Sequence, residues 1–403
     1  MQNLKKKSNF VFRTDLVATC LVIKSGRRLL QVGLSDISYS MSTMTLHIFN
    51  PEHDLALACN KEYFTPPAAA QKLYSDLGFI PVLWADDGDA VVVEDQTAAL
   101  GAWRSLRNQM TENRDFDDAP CRSVEFVTLA DISLLHITAV DVWGWDSAIR
   151  YKLLRHGVPE ELMPGKDAIV SIRELSHRRH AIDLLRHLKG EGMTGEGFVC
   201  SNYSDVEHLL SFYHHIVVKA PWSCSGRGIR FLDGSITQHQ SGWIKNMLKA
   251  QGSVIVEPYY KKVKDFGLEF YSDGAGNVEY CGLSLFDTDN WMYTGSVLAS
   301  EPYKTNILTD YISLDLIDTV KGAICSHLGS VYSGRYRGVF GVDMMIVEDN
   351  ARRGFFLHPC VEINLRRTMG HAAIAMSPSS GGRHGVMRIE NINNHYLLKI
   401  NFL

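Results

Sequence analysis

A lysine followed by a Gly/Ser-rich segment is the first feature of this sequence that indicates chemistry. An apolar run at residues 216–220, which contains Lys219, leads into the segment 221–228, and a second apolar run follows at 229–232. Backbone N–H groups in such a loop can surround an anion, and a lysine ammonium adds a compact positive charge. The pattern predicts a phosphate-binding hairpin. A Gly/Ser turn between two strands is also an ordinary tight turn, so this alternative stays open.

Acidic and amide side chains cluster more than a hundred residues later. Residues 341–347 and 355–366 are typical of two strands joined by a polar turn, which predicts a hairpin. Side chains alternate along a strand, so Glu362 and Asn364 share a face, and Asp343 lies on the partner strand in a register that the sequence leaves open. Mg²⁺ prefers hard oxygen ligands and combines one or two carboxylates with phosphates and water. These three side chains are therefore predicted metal ligands.

The two clusters together resemble the ATP-grasp superfamily over about residues 164–371. The family pattern contains a phosphate-binding lysine, a Gly-rich hairpin, a strand that ends in an acidic residue at the adenosine, and a late Asp/Glu followed by Glu-x-Asn. All four parts occur here in that order, with Glu257 at the end of the strand-like run 253–257. Many members carry an additional, earlier lysine. The nearest candidates here are Arg178 and Arg179, and arginine can hold phosphate in a forked geometry.

The resemblance implies an α/β and α+β architecture, in which an N-terminal parallel α/β domain of the kind that precedes ATP-grasp modules is followed by a two-lobed ATP-grasp domain. We expect a basic, poorly ordered extension at residues 1–44 and the N-terminal domain at 45–163. The small lobe, with the Gly-rich loop, is expected at 164–257, and the large lobe, with the metal site, at 258–403.

The residue pattern of the N-terminal part predicts a parallel α/β layer. Residues 45–49 are typical of a strand, 68–77 of a helix and 80–84 of a second strand. Ligands of such layers bind beyond the carboxyl ends of strands, so Glu52 and His53 could line a substrate site together with Asp54. The alternative is that these side chains serve a turn and a helix cap. Further along, apolar side chains at near-helical spacing predict a helix over 172–188.

The resemblance implies a ligase that uses ATP and Mg²⁺ to activate a carboxylate. The carboxylate attacks the γ-phosphorus, which gives an acyl phosphate and ADP, and an amine or similar nucleophile then displaces phosphate. The expected site residues are Arg366, which would neutralise the transferred phosphoryl group, and Lys219 for catalysis; Arg178, Lys219, Ser223, Ser225, Gly226, Arg227, Gly228, Glu257 and Asp265 for the nucleotide; Asp343, Glu362 and Asn364 for the metal; and Glu52, His53, Arg367 and His371 for substrate.

Several of these roles have plain structural alternatives. Asp265 and Glu269 are weaker candidates for polar contacts with the nucleotide, because a single carboxylate is more often a surface group. Arg367 and His371 follow the metal strand directly, so they could contact substrate or belong to a polar loop and a helix cap.

Composition restricts the possible partners and compartment. The chain has 403 residues, 45% of them hydrophobic and 21% charged, which suits a globular protein of two or three domains. A net charge of −4 gives no reason to expect nucleic acid or an anionic membrane as partner. No apolar run reaches the length of a membrane span. Eight scattered cysteines without a C-x-x-C pair predict free thiols in the cytoplasm. The expected partners are small-molecule or peptide carboxylates and amines, and the oligomeric state is not readable.

Other chemistries find less support in the sequence. There is no Walker A loop, no G-x-S-x-G elbow, no H-E-x-x-H motif and no complete G-x-G-x-x-G. In protein kinases the Gly-rich loop precedes the lysine, whereas here the lysine comes first. Two alternatives remain: a kinase of the same fold, and a non-catalytic nucleotide- or peptide-binding module. A module that only binds has no chemical need to keep all three metal-ligand candidates.

Overall fold

The computed structural model of the protein describes residues 43–111, 123–223, 228–289, 292–349, 351–379, 381 and 384–402. The predicted extension lies outside this part of the chain except for residues 43 and 44. None of the helices in the described ranges combines the length and the apolar character that crossing a bilayer requires.

The first sheet is a short parallel layer. Its strands are β1 (Thr45–Ile48), β2 (Ala90–Val92), β3 (Glu125–Val127) and β4 (Ala139–Val142), in the order β3-β2-β1-β4 with every pair parallel. The accompanying helices are α1 (His53–Cys59), α2 (Ala68–Leu77), α3 (Gln96–Thr111) and α4 (Ser147–Arg155). Apolar side chains such as Leu46, Ile48 and Val91 are buried, as expected for parallel strands that are covered on both faces. The predicted parallel α/β layer is confirmed.

Residues 80–84 do not form the predicted second strand. Ile80–Leu83 is a 3-10 helix, and the strand next to β1 is β2. Pro81 has no N–H to donate to a neighbouring strand, and a short buried apolar run fits a helical turn as well as a strand. The turn expected after β1 is also partly helical, because α1 begins at His53.

The helix predicted over 172–188 is two helices, α5 (Lys166–Leu175) and α6 (Arg179–Leu188). Local hydrogen bonds interrupt the helix between them: Ser176 Oγ donates to the carbonyl of Ile172 at 2.7 Å, and the backbone N–H of Arg179 donates to His177 Nδ1 at 3.0 Å. Side chains that bond to nearby backbone compete in this way with helix continuation. The break places Arg178 at the start of α6.

The second sheet is antiparallel and has four strands among the described residues. Its order is β5-β8-β6-β7, formed by β5 (Phe198–Cys200), β6 (His215–Lys219), β7 (Ile229–Asp233) and β8 (Val254–Pro258). The helices α7 (Tyr203–Tyr213) and α8 (Gln238–Gln251) pack on it through a core that includes Val206, Leu210 and Ile244. The loop between β6 and β7 is the predicted Gly/Ser loop.

The third sheet is antiparallel and larger, with the order β13-β12-β9-β10-β11-β14-β15. Its strands are β9 (Lys261–Ser272), β10 (Val278–Asp289), β11 (Met292–Leu298), β12 (Gly338–Asp349), β13 (Gly354–Asn364), β14 (Gly385–Ile392) and β15 (His395–Phe402). The helices are α9 (Glu301–Thr309), α10 (Leu314–Tyr332) and α11 (Met369–Met376). A core with Phe266, Phe270 and Phe340 joins the sheet to α5, α6 and α10. The parallel layer followed by two antiparallel sheets confirms the predicted fold class.

The last hairpin, β14 and β15, returns to the N-terminal helices. The backbone N–H of Tyr396 donates to Asp76 Oδ2 at 2.8 Å, and that of Ile400 donates to Gln109 Oε1 at 3.0 Å. Leu398 shares a core cluster with side chains of α2 and α3. Residues Thr43–Leu403 accordingly form one compact unit.

Candidate ATP and metal site

The predicted metal ligands lie together on one face of the seven-stranded sheet, which we call the metal face. Asp343 on β12 is directly opposite Glu362 on β13. Asn364 is two residues further along β13, and its Nδ2 donates a hydrogen bond to Asp343 Oδ2 at 2.8 Å. On the other side of β12, Gly267 of β9 is opposite Asp343, so no bulky side chain crowds the carboxylate from that strand. The predicted hairpin is therefore confirmed, and its register is defined.

Two carboxyl groups of the metal face have raised pKa values. Burial and the neighbouring Glu362 carboxylate raise the pKa of Asp343 to about 7. Glu269 of β9 is on the same face, opposite Gly341, and burial together with Asp343 raises its pKa to about 8. Both groups lose a proton with difficulty because the charged form is poorly solvated and lies near like charge.

The chemistry of this donor set fits Mg²⁺. Asp343 and Glu362 supply carboxylate oxygens and Asn364 supplies an amide, which are ligands that a hard cation prefers. A divalent cation would offset the repulsion between the two carboxylates that raises the pKa of Asp343. The residues observed on this face are thus suited to the ion that the family resemblance implies.

Arg178 connects the Gly/Ser loop to the metal face. Its guanidinium is buried, with Nη1 donating to Ser223 Oγ at 2.6 Å and to the carbonyl of Ala220 at 2.5 Å. Nη2 donates to Glu362 Oε1 at 2.6 Å. An arginine therefore lies between the predicted phosphate loop and a predicted metal ligand. Its role as a substitute for the earlier lysine of the family stays a prediction.

Lys219 is the last residue of β6 and forms a buried ion pair with Glu257 of β8. The ammonium lies 2.7 Å from Oε1 and 2.6 Å from Oε2 of that carboxylate. It also reaches the carbonyl of Val361, next to Glu362, at 3.5 Å. The predicted phosphate lysine, the predicted adenosine carboxylate and the metal strand β13 are thus neighbours in space.

The Gly/Ser loop is described at its two ends. Gly228 approaches Ser223 so closely that a Cβ on residue 228 would lie 2.1 Å from the Ser223 hydroxyl oxygen, a contact that requires glycine. The predicted phosphate contacts Ser225, Gly226 and Arg227 lie outside the described residues.

Arg366 and Arg367 follow β13 and reach the N-terminal part of the chain. Arg366 holds both carboxylate oxygens of Asp54 at 2.8 to 3.1 Å. Burial raises the pKa of Asp54, but Arg366 outweighs burial and leaves that pKa below its ordinary value. Arg367 donates to Asp141 Oδ2 at 2.9 Å and lies 4.4 Å from the Trp84 ring centroid. Contact of Arg366 with a transferred phosphoryl group, and of Arg367 with substrate, stay predictions.

The other predicted substrate residues make contacts within the fold. His53 is 1% exposed, and its Nδ1 lies 3.1 Å from Asp146 Oδ2. His371 forms a capping box with Thr368 at the start of α11, and burial lowers its pKa to about 3, so the ring is neutral. Glu52 is the N-cap residue of α1, and burial raises its pKa. The contacts of His371 match the helix-cap alternative, whereas the Glu52 side chain makes no cap hydrogen bond and His53 contacts a residue 93 positions away. A substrate role stays a prediction for all three.

Asp265, the weaker nucleotide candidate, lies on β9 two residues before Gly267. Its carboxylate accepts hydrogen bonds from Lys262 Nζ at 2.5 Å and from Thr288 Oγ1 at 2.7 Å. Gly267 is the residue of β9 that lies opposite Asp343, and side chains two positions apart on a strand point to the same face. Asp265 is therefore on the same face of the sheet as Asp343.

Sequence reasoning missed a polar cluster in the parallel sheet, in which His47 and Asp89 are buried and Asp141 is half-buried. His47 on β1 lies between two carboxylates, with Nε2 2.9 Å from Asp89 Oδ2 and Nδ1 3.0 Å from Asp141 Oδ2. We call these three residues the histidine–aspartate cluster. The available signal was a histidine and an aspartate inside otherwise apolar strands, where charged side chains are rarely buried unless they are paired.

Solved structures of ATP-grasp enzymes match most of this chain. An ATP-grasp superfamily protein from Archaeoglobus fulgidus matches with a TM-score of 0.45 and 13% identity, covering 90% of this chain and 100% of that one. N5-carboxyaminoimidazole synthetase from Staphylococcus aureus, complexed with ADP, matches with a TM-score of 0.44 and 13% identity over 86% and 82% of the two chains. Biotin carboxylase from Campylobacter jejuni matches with a TM-score of 0.46 and 10% identity over 89% and 79%. No family model and no curated protein sequence matches the chain.

Proposed function

We propose that this protein is an ATP-dependent ligase that joins a carboxylate to an amine or similar nucleophile. The carboxylate becomes an acyl phosphate at the expense of ATP, and the nucleophile then displaces phosphate. The observation that carries this proposal is the facing pair Asp343 and Glu362, with Asn364 hydrogen-bonded to Asp343, beside two buried cations that contact the same strand. Those cations are Lys219 and Arg178.

The arrangement is suited to positioning and charge neutralisation. Phosphoryl transfer to a carboxylate requires little acid-base chemistry, because its cost lies in bringing several negative oxygens together. Mg²⁺ on the metal face would supply neutralising charge to the phosphate oxygens. Lys219 and Arg178 approach the same region from the four-stranded sheet and from α6, within reach of Val361 and Glu362 of β13.

The two cations of the proposed site are engaged in ion pairs, which phosphate binding would have to change. Lys219 is held by Glu257, and Arg178 by Glu362, at hydrogen-bond distances. A phosphate group would share or take over these donors, and Arg–phosphate pairs are strong because they are charge-assisted and forked. We therefore propose that ATP binding rearranges these two ion pairs.

The test combines thermal unfolding with product analysis. We expect Mg²⁺ and ATP together to raise the Tm of the purified full chain, since ligand at about a hundred times its Kd adds roughly 2.7 kcal/mol. Carboxylates and amines are then screened for ADP release, and ³¹P NMR follows the phosphorus. Free phosphate supports the ligase, whereas phosphate attached to product would indicate a kinase of the same fold. Absence of any Mg-dependent shift would favour the binding-module alternative.

A variant of the lysine tests the phosphate contact. Lys219→Ala alone leaves Glu257 buried without its partner, so the double variant Lys219→Met/Glu257→Gln is preferable. Because Glu257 is itself a predicted nucleotide contact, the double variant is compared with Glu257→Gln alone. We expect its ATP affinity to fall at least tenfold, about 1.4 kcal/mol, in isothermal titration. Lys249→Ala, an exposed lysine near the end of α8, is the matched control and should bind ATP as the wild type does. Unchanged affinity in the double variant would remove Lys219 from the phosphate site.

A further inference from the structure

A second cluster of metal-ligating side chains lies away from the metal face, at the open end of the β6–β7 hairpin. It consists of His214, His215 and Asp233, whose ligand atoms all lie within 4.8 Å of one another. His215 Nδ1 is 3.1 Å from Asp233 Oδ1, and His214 Nε2 is 3.9 Å from the same oxygen. Among the described residues, this is the group of histidine, cysteine and acidic side chains with spacing suited to a metal ion.

From this geometry we infer a surface site for a divalent transition-metal ion of the zinc class. Zn²⁺ takes imidazole nitrogens and carboxylate oxygens at about 2.0 to 2.2 Å, so ligand atoms of a tetrahedral site lie about 3.3 Å apart. The pair formed by His215 and Asp233 already has this spacing. The three side chains are 54% to 76% exposed, so small rotations bring His214 closer at little cost. Three protein ligands leave a fourth position for water or another ligand.

The backbone holds these ligands in place. His215 and Asp233 are directly opposite each other across the β6–β7 ladder. His214 ends α7 at φ 66° and ψ −46°, a backbone conformation that costs free energy for a residue with a Cβ. The ring of His214 packs over Gly234, where a Cβ would lie 2.7 Å from Cε1. The metal would therefore join three segments: the end of α7, the start of β6 and the end of β7.

The donor chemistry separates this site from the metal face. Two imidazoles and one carboxylate favour Zn²⁺, Ni²⁺ or Cu²⁺, whereas the oxygen ligands of the metal face favour Mg²⁺. The proposed zinc site is also remote from Lys219, which contacts the metal strand β13. His215 begins β6 and Lys219 ends it, about 13 Å away along the strand. The metal thus fastens the hairpin at the end remote from the Gly/Ser loop, independently of the proposed ligase activity.

The experiment is a ZnCl₂ titration of the full chain, freed of any polyhistidine tag and treated with EDTA, by isothermal calorimetry and native mass spectrometry. We expect a saturable binding step of one equivalent that raises the Tm. His215→Ala and Asp233→Asn should each weaken this step at least tenfold. His208→Ala, an exposed histidine on α7, and Glu362→Ala, on the metal face, should leave it unchanged.

A third variant at the site keeps the test decisive if His215→Ala folds poorly. Glycine accepts the backbone conformation of residue 214 without strain, so His214→Gly should raise the Tm of the metal-free protein and weaken zinc binding. Wild-type zinc affinity in His215→Ala and Asp233→Asn would overturn the proposal. So would the absence of a saturable step in the wild type. Loss of the step in Glu362→Ala would also overturn it, because the zinc would then be bound at the metal face.

Discussion

The histidine–aspartate cluster and the metal face both bury carboxylates, yet their electrostatics are opposite. In the cluster, burial raises the pKa of Asp89 and Asp141, but hydrogen bonds with His47 outweigh burial, and both values lie below the ordinary range. On the metal face, the pKa values of Asp343 and Glu269 are raised instead. The same residue type is stabilised as an anion in one place and destabilised in the other.

This difference in pKa distinguishes carboxylates that stabilise the fold from carboxylates that are suited to bind a ligand. A buried carboxylate with partners on every side holds elements together and has little left to offer a ligand. A buried carboxylate with raised pKa costs stability and gains most from an added cation, which is why such groups concentrate at functional sites. The comparison predicts that substitutions in the cluster impair folding and that substitutions on the metal face impair activity.

The largest effect is expected for Glu362→Ala. The change removes a predicted metal ligand without removing core volume, and Arg178, which loses its contact with Glu362, keeps its hydrogen bonds to Ala220 and Ser223. We expect Mg-dependent ADP formation to fall at least a thousandfold, about 4 kcal/mol, with circular dichroism unchanged. Glu348→Ala, on β12 of the same hairpin and paired with the exposed Lys261, is the control and should keep wild-type turnover. Normal turnover in Glu362→Ala would contradict the metal assignment.

An intermediate effect, on stability alone, is expected for His47→Leu. The substitution leaves Asp89 and Asp141 without the imidazole that both of them contact. We expect the free energy of unfolding to fall by about 3 kcal/mol in urea titrations, while ATP affinity stays within twofold of the wild type. His136→Leu, an exposed histidine before β4, serves as the control. If His47→Leu had wild-type stability but no longer bound ATP, the histidine–aspartate cluster would be functional and not structural.

The smallest effect, a pH dependence, is expected for Asp343→Asn without Mg²⁺. The pKa of Asp343 is about 7 in the folded protein and near 3.8 when unfolded, so the folded state retains a proton that the unfolded state releases between pH 4 and 7. In the wild type, the contribution of Asp343 to the free energy of unfolding is therefore fully present below pH 4 and is lost as the pH rises through 7. Asparagine does not titrate, so the variant should be more stable than the wild type above pH 7. The check is the free energy of unfolding of both proteins at pH 4 and pH 8. If the difference between Asp343→Asn and the wild type is the same at both pH values, the Asp343 carboxylate is not destabilised in the folded protein.

Local patterns in the sequence were sufficient for much of the fold and for the metal face. The alternation of Glu362 and Asn364 with apolar residues predicted a hairpin, and β12 and β13 form it with Asp343 in the facing position. Lys219 was expected at the end of a strand and is the last residue of β6. These predictions depended on residues close in sequence, where the alternation of side chains along a strand determines which face each residue occupies.

Features that depend on distant partners were not accessible. The phosphoryl contact expected of Arg366 stays a prediction, and nothing near Arg366 in the sequence indicates its partner in the fold, Asp54, 312 residues earlier. The run at 80–84 was interpreted as a strand, although its tertiary surroundings and Pro81 favour a 3-10 helix. The apolar spacing over 172–188 gave no sign of the break at Ser176, because hydrogen bonds and not periodicity interrupt the helix.

The return of the last hairpin to the first helices has a consequence for how this chain matures on the ribosome. Tyr396 and Ile400 complete the packing of α2 and α3, which are made more than 280 residues earlier. The N-terminal layer therefore waits, partly uncovered, until the final strands have emerged from the exit tunnel. Exposed apolar helices are prone to aggregate during that interval. Removal of β15 would leave these contacts of α2 and α3 unmade, and the exposure would then last for the lifetime of the molecule.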